Sequence, residues 1–388
     1  MINRNEANER APVLLWAALR VLTFITMILA YVYETGGWAD KSLKILLTEP
    51  WFSYDTYYYF RIVAAGYQVG ELTSIYHPLY PWLSTLVAAV VQSPIAGLVI
   101  VSSLAGLGLT IVFYRFARLD VDHTSAWTAT ALLLCWPASV AIFLPYTEAL
   151  FLFLTVSCLL AARKRQFLLA GSLGALAALT RQQGVLIALP LLWELWEASE
   201  HKLQRFLLNW RTWVVGALPP AGFAFWILYR AIAISDVNPN FSSPQRFIYS
   251  VLVSPHAFRI SSELEFLPPW VAVWRAFSAY SSGRIHWSAY GDAFLAAVFL
   301  SMLVLGWRYL RTSYKLYCLA VVLIAISFHT GVSANPYHAL PRHLTLAFPV
   351  FLGMAQAYRF TRLWFILGVL LLCQMLVLCC YVWQTWVP

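Results

Sequence analysis

Apolar residues run along this chain in long unbroken stretches separated by short polar ones, with neither the strict alternation of strands nor the evenly mixed surface of soluble helices. The first run covers 12–33, interrupted at Arg20. Others cover about 78–92, 95–114, 126–144, 149–162, 167–180, 184–198, 212–234, 290–308, 314–332, 344–358 and 363–385. Backbone groups in lipid must be satisfied within helices or a closed barrel, and barrel strands would alternate apolar and polar over about ten residues. These runs are continuous, so the pattern predicts an all-α polytopic membrane protein. Several of its 10–12 helices are too short to cross ~30 Å of hydrocarbon and are expected to be half-membrane, tilted or broken. Residues 34–77 form the first sizeable loop. Residues 235–287, with Arg246, Arg259, Arg275 and Arg284 among prolines and aromatics, are too polar to span and too aromatic for a linker. A folded outer loop with interfacial helices is expected there. With no repeat or low-complexity tract, the chain reads as one membrane domain over 1–388.

Composition sharpens this picture. Of 388 residues, 61% are hydrophobic and 11% charged, against roughly 25% charged in a soluble domain; a soluble globular enzyme is excluded. The net charge of +9 is scattered in twos and threes between apolar runs, a topology signal and not a nucleic-acid surface. Arg163, Lys164 and Arg165, then Arg308, Arg311 and Lys315, then Arg359 and Arg362 mark cytoplasmic loops. Alternating from them puts the 34–77 loop, the 145–148 turn, the 181–184 turn, the 235–287 segment and the 333–343 loop on the outer face. Counting 78–92 and 126–144 both as full spans would instead send Glu148 to the cytoplasm. Either 78–92 dips in without crossing, or one of these helices is misread. No small-residue cleavage site follows the first run, so a cleaved signal peptide is not expected. The six cysteines lie in apolar segments without metal-ligand spacing and read as core filler.

The scarce acids carry the candidate chemistry. In the stretch from Trp51 to Tyr67, Asp55 precedes a wall of aromatics, and a helix would put Asp55 and Tyr59 on one face. A carboxylate at a water-poor membrane surface is a candidate general base with a raised pKa; a helix cap is the bland alternative. Glu148 sits between apolar runs, where an acid is costly and functional by default, with a structural ion pair as the alternative. Glu194, Glu197 and Glu200 read as a solvated face, and Asp292 as a helix start. Asp120 and Asp122 lie beside Arg115 and Arg118 on the cytoplasmic side and do not read as a sugar-nucleotide metal site. No metal site, nucleotide-binding loop or cofactor is expected.

Residues 54–67 resemble the W-D-x-x-x-Y-L-x-I-A-x-x-G-Y pattern of the PIG-V-like mannosyltransferases, with Asp55, Tyr59, Ile62, Gly66 and Tyr67 matching and Tyr54 and Val63 replacing Trp and Ala. The 76–81 stretch YHPLYP is similar to F-F-P-L-Y-P, with His77 in place of Phe. The 145–151 stretch PYTEALF is similar to P-Y-t-E-s-L-F. LTRQQG at 179–184 is similar to L-T-R-p-q-G, with Gln182 replacing Pro, and PRHL at 341–344 through Phe348-Pro349 is similar to R-y-l-l…F-P. The resemblance implies a GT-C bundle that uses a sugar on polyprenyl or dolichyl phosphate at the outer or lumenal face, transferring it with inversion to a glycolipid or surface glycan. It implies Asp55 as proton acceptor and Glu148 as a supporting carboxylate. Inverting chemistry then needs donors for the leaving phosphate. Arg181 and Arg342 suit that role, with His77 and His343 adding donors and Tyr59, Tyr146 and Gln182 completing the substrate site.

A transporter or flippase fits the composition too, but should place ionisable groups near the midplane of two related halves. Here they cluster towards one face. The expected partners are the lipid-phosphate sugar donor, the glycan acceptor and membrane lipids, with no nucleic acid. The compact loops favour a prokaryotic cell membrane over the endoplasmic reticulum.

Overall fold

The computed structural model describes residues 4–39, 41–68, 71–234, 265–283, 285–329, 335–358 and 361–388. These are helical almost throughout, with one two-residue antiparallel pairing that sets Glu265 opposite His329 and Phe266 opposite Phe328. Five helices are long and apolar enough to cross a membrane: Glu9–Glu34, Pro94–Ala117, Trp210–Ile234, Trp287–Tyr309 and Leu363–Val382. A sixth crossing would be a broken pair, His123–Cys135 and Pro137–Phe143, bent by 72°. The protein is an integral membrane protein built mainly of helices, as the apolar runs predict. The first helix starts at Arg4 and takes up the polar leader instead of beginning at residue 12.

The break at Pro137 is chemically sustained. Proline ends the helix by removing an N–H and clashing with the preceding turn, which frees carbonyls that lipid cannot satisfy. Gln374, buried in the last helix, donates from Nε2 to Leu134 O at 3.0 Å and to Trp136 O at 3.3 Å. Arg20, the one interruption of the first apolar run, is also explained. Its guanidinium donates to the carbonyl of Phe143, the last residue of the broken helix, and lies 4.9 Å from the Phe24 ring centroid and 5.3 Å from that of Trp51. A cation at a helix C-terminus answers both the orphan carbonyl and the helix dipole. The first helix is thereby fastened to the two segments that lead into Asp55 and Glu148.

The ambiguity over 78–92 resolves here. The Leu79–Val91 helix has 13 residues, about 20 Å, too short to cross. It folds back on Pro94–Ala117 through a two-residue turn, with Tyr80 Oη donating to Leu98 O at 3.0 Å and Gly97 against the Ser84–Ala88 backbone. With that run too short to span, alternation from the basic clusters keeps Glu148 on the face expected from sequence. The Phe167–Ala178 and Thr312–Ser327 helices are likewise short.

At the other end of the bundle, Arg163 forms a two-pronged pair with Asp120 at 2.9 Å, Arg115 meets Glu9 at 2.8 Å, and Arg311 meets Glu197 at 2.6 Å. These are the basic clusters that the positive-inside rule assigns to the cytoplasm. Glu194 departs from the expected solvated face: it is buried and accepts from Ser313 Oγ at 2.6 Å. Asp292 does not start a helix; the helix begins at Trp287, and Asp292 is buried within it, accepting from Trp386 Nε1 at 3.1 Å. Of the cysteines, Cys135, Cys158 and Cys318 are buried filler, whereas Cys373 is exposed on the last helix. In the large outer loop, 235–264 and 284 lie outside the described residues. The helix Pro269–Ser281 turns Ala272 and Ala276 inward and Trp270, Val273, Trp274 and Phe277 outward, the amphipathic pattern of an interfacial helix.

Gly184 closes the turn that carries Arg181. A Cβ there would lie 2.2 Å from Ala178 N and 2.4 Å from Ala177 C, and backbone cannot yield as a side chain does. Gly184→Ala should lower stability by about 1–3 kcal/mol or more, read as a fall in Tm of the detergent-purified protein.

Candidate active site

Six segments far apart in sequence, among them the one carrying Ala325 and Phe328, meet at one cavity of about 300 Å³. Asp55 opens the helix Asp55–Ala65, held there by Tyr381 of the last helix, whose hydroxyl donates to Trp51 O at 2.6 Å. Tyr54, just before it, adopts φ +50°, a strained left-handed conformation for a bulky residue. The Asp55 carboxylate caps nothing; it sits at a helix N-terminus, where the dipole favours a negative charge. Tyr76 and His77 precede the short Leu79–Val91 helix, Thr147 and Glu148 follow the broken helix, Arg181 follows Phe167–Ala178, and Arg342 and His343 lie on Leu340–Thr345.

Four charged side chains form a continuous chain. Arg342 Nη1 donates to Asp55 Oδ2 at 2.8 Å, and its Nε lies 3.3 Å from Glu148 Oε1. Arg181 Nη1 donates to the same Glu148 oxygen at 2.7 Å and to Thr147 Oγ1 at 2.8 Å. Arg181 Nη2 reaches His343 Nδ1 at 3.2 Å, and the Arg342 guanidinium lies 5.0 Å from the Tyr146 ring centroid. Glu148 is 3% exposed and both arginines 12%. Unpaired charges at such burial would cost several kcal/mol each, so two anions and two cations hold one another in place. The ion pair anticipated for Glu148 forms, with Arg181 and Arg342 sharing it.

The expectation of a raised pKa at Asp55 is overturned. Burial pushes the carboxyl up, but the adjacent Arg342 charge, hydrogen bonds from Arg342 and Tyr76, and the Arg181 charge outweigh it and hold it below its ordinary value. Asp55 is an ionised carboxylate in a fixed orientation. The histidines are neutral. Burial, with the Arg230 and Arg181 charges, takes His77 down to about 3. Burial, then Arg181, Arg342 and His338, takes His343 well below its ordinary value. Their hydrogen bonds fix the tautomers: His77 Nδ1 lies 2.8 Å from Ala178 O and must carry the proton, whereas His343 Nδ1 accepts from Arg181, leaving Nε2–H as a donor.

Of the residues singled out from sequence, Asp55, Tyr59, His77, Arg181, Gln182, Arg342 and His343 line the cavity. Tyr146 and Glu148 stand behind the arginines. Sequence reasoning passed over Tyr76, whose hydroxyl donates to Asp55 Oδ1 at 3.0 Å, and Thr147, which receives Arg181 and Tyr59. Both neighbour singled-out residues in the same short motifs, the one signal that could have found them. Gln183 and His338 also face the cavity. Among the described residues, no three His, Cys, Asp or Glu side chains converge as metal ligands.

Residues 76–229 match the protein family described as dolichyl-phosphate-mannose-protein mannosyltransferase. The match takes in the His77, Glu148 and Arg181 segments and stops short of Asp55 and Arg342. No curated protein matches the chain. Among solved structures it is similar to the Archaeoglobus fulgidus oligosaccharyltransferase tethered to an acceptor peptide containing the NVT sequon. That similarity has a TM-score of 0.48 at 12% identity and covers 96% of this chain and 56% of that one. The apo form of the same enzyme gives a TM-score of 0.46 at 14% identity, covering 95% and 55%. The chain thus spans little more than half the length of the solved structures it matches.

Two outcomes follow from the charge set. Glu148→Ala leaves Arg181 and Arg342 with one anion between them and should cost about 3–5 kcal/mol, as breaking a buried pair does, measured by unfolding in detergent. Because the Asp55 pKa is depressed by folding, its stabilisation is present above the unfolded value of about 3.9 and lost as pH falls through the folded one. The wild-type Tm should therefore drop on acidification below about pH 4, and Asp55→Asn should flatten that drop.

Proposed function

We propose that this protein is a GT-C glycosyltransferase that moves a mannose-type sugar from polyprenyl or dolichyl phosphate to a hydroxyl of a glycolipid or surface-glycan acceptor, with inversion, on the outer face of the membrane. The observation that carries the reading is the convergence of Asp55, Arg342 and Arg181 at one cavity, with Glu148 paired to both arginines behind it, in a chain whose residues 76–229 match a family described by that donor and sugar. The short motifs resembling PIG-V-like enzymes, which contain all four residues, support it independently.

In this reading the acceptor oxygen attacks the anomeric carbon and the bond from that carbon to the phosphate oxygen breaks on the opposite face. The electron pair leaves with the phosphate. The acceptor's proton passes to Asp55, which is ionised and available as the base. Arg181 retains a buried Nε without a hydrogen-bond partner in the structure, and His343 retains Nε2–H. Both supply donors for charge developing on the leaving phosphate. Glu148 balances the two guanidiniums and aims them. The grouping of these residues at the outer end of the bundle suits an enzyme better than a transporter.

The test is transfer by the purified, reconstituted protein from a panel of polyprenyl-phosphate sugars. Asp55→Asn should lower the rate by about 10²–10⁴-fold, the scale of lost base catalysis, with expression intact; full activity in that variant would remove Asp55 as the base. Arg181→Ala should chiefly raise the KM for donor, and an unchanged donor dependence rejects its phosphate role.

A further inference from the structure

Asp55 is held from two sides. Arg342 takes Oδ2 and Tyr76 takes Oδ1, so the carboxylate plane is set by two donors on different segments. Tyr76 is itself immobilised. Its ring stacks on Tyr58 at 5.4 Å with 21° between planes and meets Tyr59 edge-on at 4.7 Å, and its carbonyl accepts from Tyr67 Oη at 2.8 Å. Just after it, His77 Nδ1 donates to Ala178 O at 2.8 Å and Leu79 N to Leu179 O at 3.0 Å, tying this turn to the one that presents Arg181. Packing alone would be served by a phenyl ring, the residue type at this place in the motif that YHPLYP resembles. The hydroxyl is the added element, and it is aimed at the candidate base.

Building on the proposed sugar transfer, we infer that Tyr76 is a positioning residue that fixes the orientation of the Asp55 carboxylate towards the acceptor hydroxyl. Each carboxylate oxygen has two lone-pair sites. With Tyr76 and Arg342 occupying one on each, the orientation of the remaining sites is fixed, and the proton is accepted without the carboxylate rotating. Arg342 alone would leave the carboxylate free to swing about that contact.

The other groups around Asp55 do not replace this contact. Tyr59, on the same helix, gives its hydroxyl to Thr147; Arg181 is engaged by Glu148, Thr147 and His343. Tyr381 spends its hydroxyl on the 51–56 backbone and Thr56. Tyr146 packs under Arg342, and His338 Nδ1 lies 3.2 Å from Asn335 Nδ2.

Tyr76→Phe keeps the ring and removes one oxygen, so the fold is preserved. Losing one hydrogen bond to a charged group should lower kcat by about tenfold while leaving the KM for donor within about twofold. Because the hydroxyl favours the ionised carboxylate, its loss raises the Asp55 pKa, and the acid limb of the pH–rate profile should move up by about one unit. The same midpoint can be read without activity, by infrared titration of the purified protein, with the Asp55 carboxyl band assigned by its loss in Asp55→Asn. A Tyr76→Phe midpoint equal to wild type overturns the role of Tyr76 whatever the protein transfers. A shifted midpoint with wild-type kcat overturns it as a positioning residue for the reaction. If wild type transfers no sugar from any donor while the midpoint shifts, the proposed function fails and the contact stands.

Discussion

Two carboxylates and two guanidiniums can sit together inside an apolar bundle only as a neutral set. In Asp55, Arg342, Glu148 and Arg181 each charge is the condition for burying the next, and the segments that carry them are brought together by that requirement as much as by packing. The contact between Asp55 and Arg342 closes a loop of 287 residues, and through Glu148 it draws in the turn at Thr147 and the one at Arg181. Much of the remaining architecture can be understood as support for those ends: Arg20 against the broken helix, Tyr381 against the entry to Asp55, Gly184 in the tight turn behind Arg181.

Neutrality also constrains the chemistry. A cavity whose cations are already matched does not attract a phosphate by net charge. Any anion must be recognised by N–H donors left over from, or released by, the internal pairs, such as Arg181 Nε. This favours a ligand that is positioned by directional hydrogen bonds over one that is drawn in electrostatically.

Much of this was legible in the sequence because charge is so scarce there. Asp55, Glu148, Arg181 and Arg342 stand out as isolated charges in apolar or aromatic surroundings, and the basic clusters order the two ends of the bundle. What could not be read was anything set by distance across the chain. The pKa of Asp55 depends on Arg342 and Tyr76, not on the local aromatic wall, so the local argument gave the wrong sign. Glu194 and Asp292 looked like surface and helix-start acids because their partners, Ser313 and Trp386, lie about a hundred residues away. Hydropathy marked the 78–92 run as apolar but could not tell a half-length helix from a span, since both present the same residues to lipid.

Those half-length helices have a consequence for the membrane itself. Leu79–Val91 and Phe167–Ala178 are about 20 and 18 Å long yet turn Leu86, Val90, Leu168, Leu169 and Leu176 outward. Where a hydrophobic surface is shorter than the hydrocarbon slab, the lipid leaflet must thin or the flanking residues stretch to meet it, at a cost of fractions of a kcal/mol per Å. Hydrophobic mismatch is thus concentrated at the two helices that adjoin the His77 and Arg181 turns. The thickness of the host bilayer becomes a variable that acts on the short helix that presents Arg181.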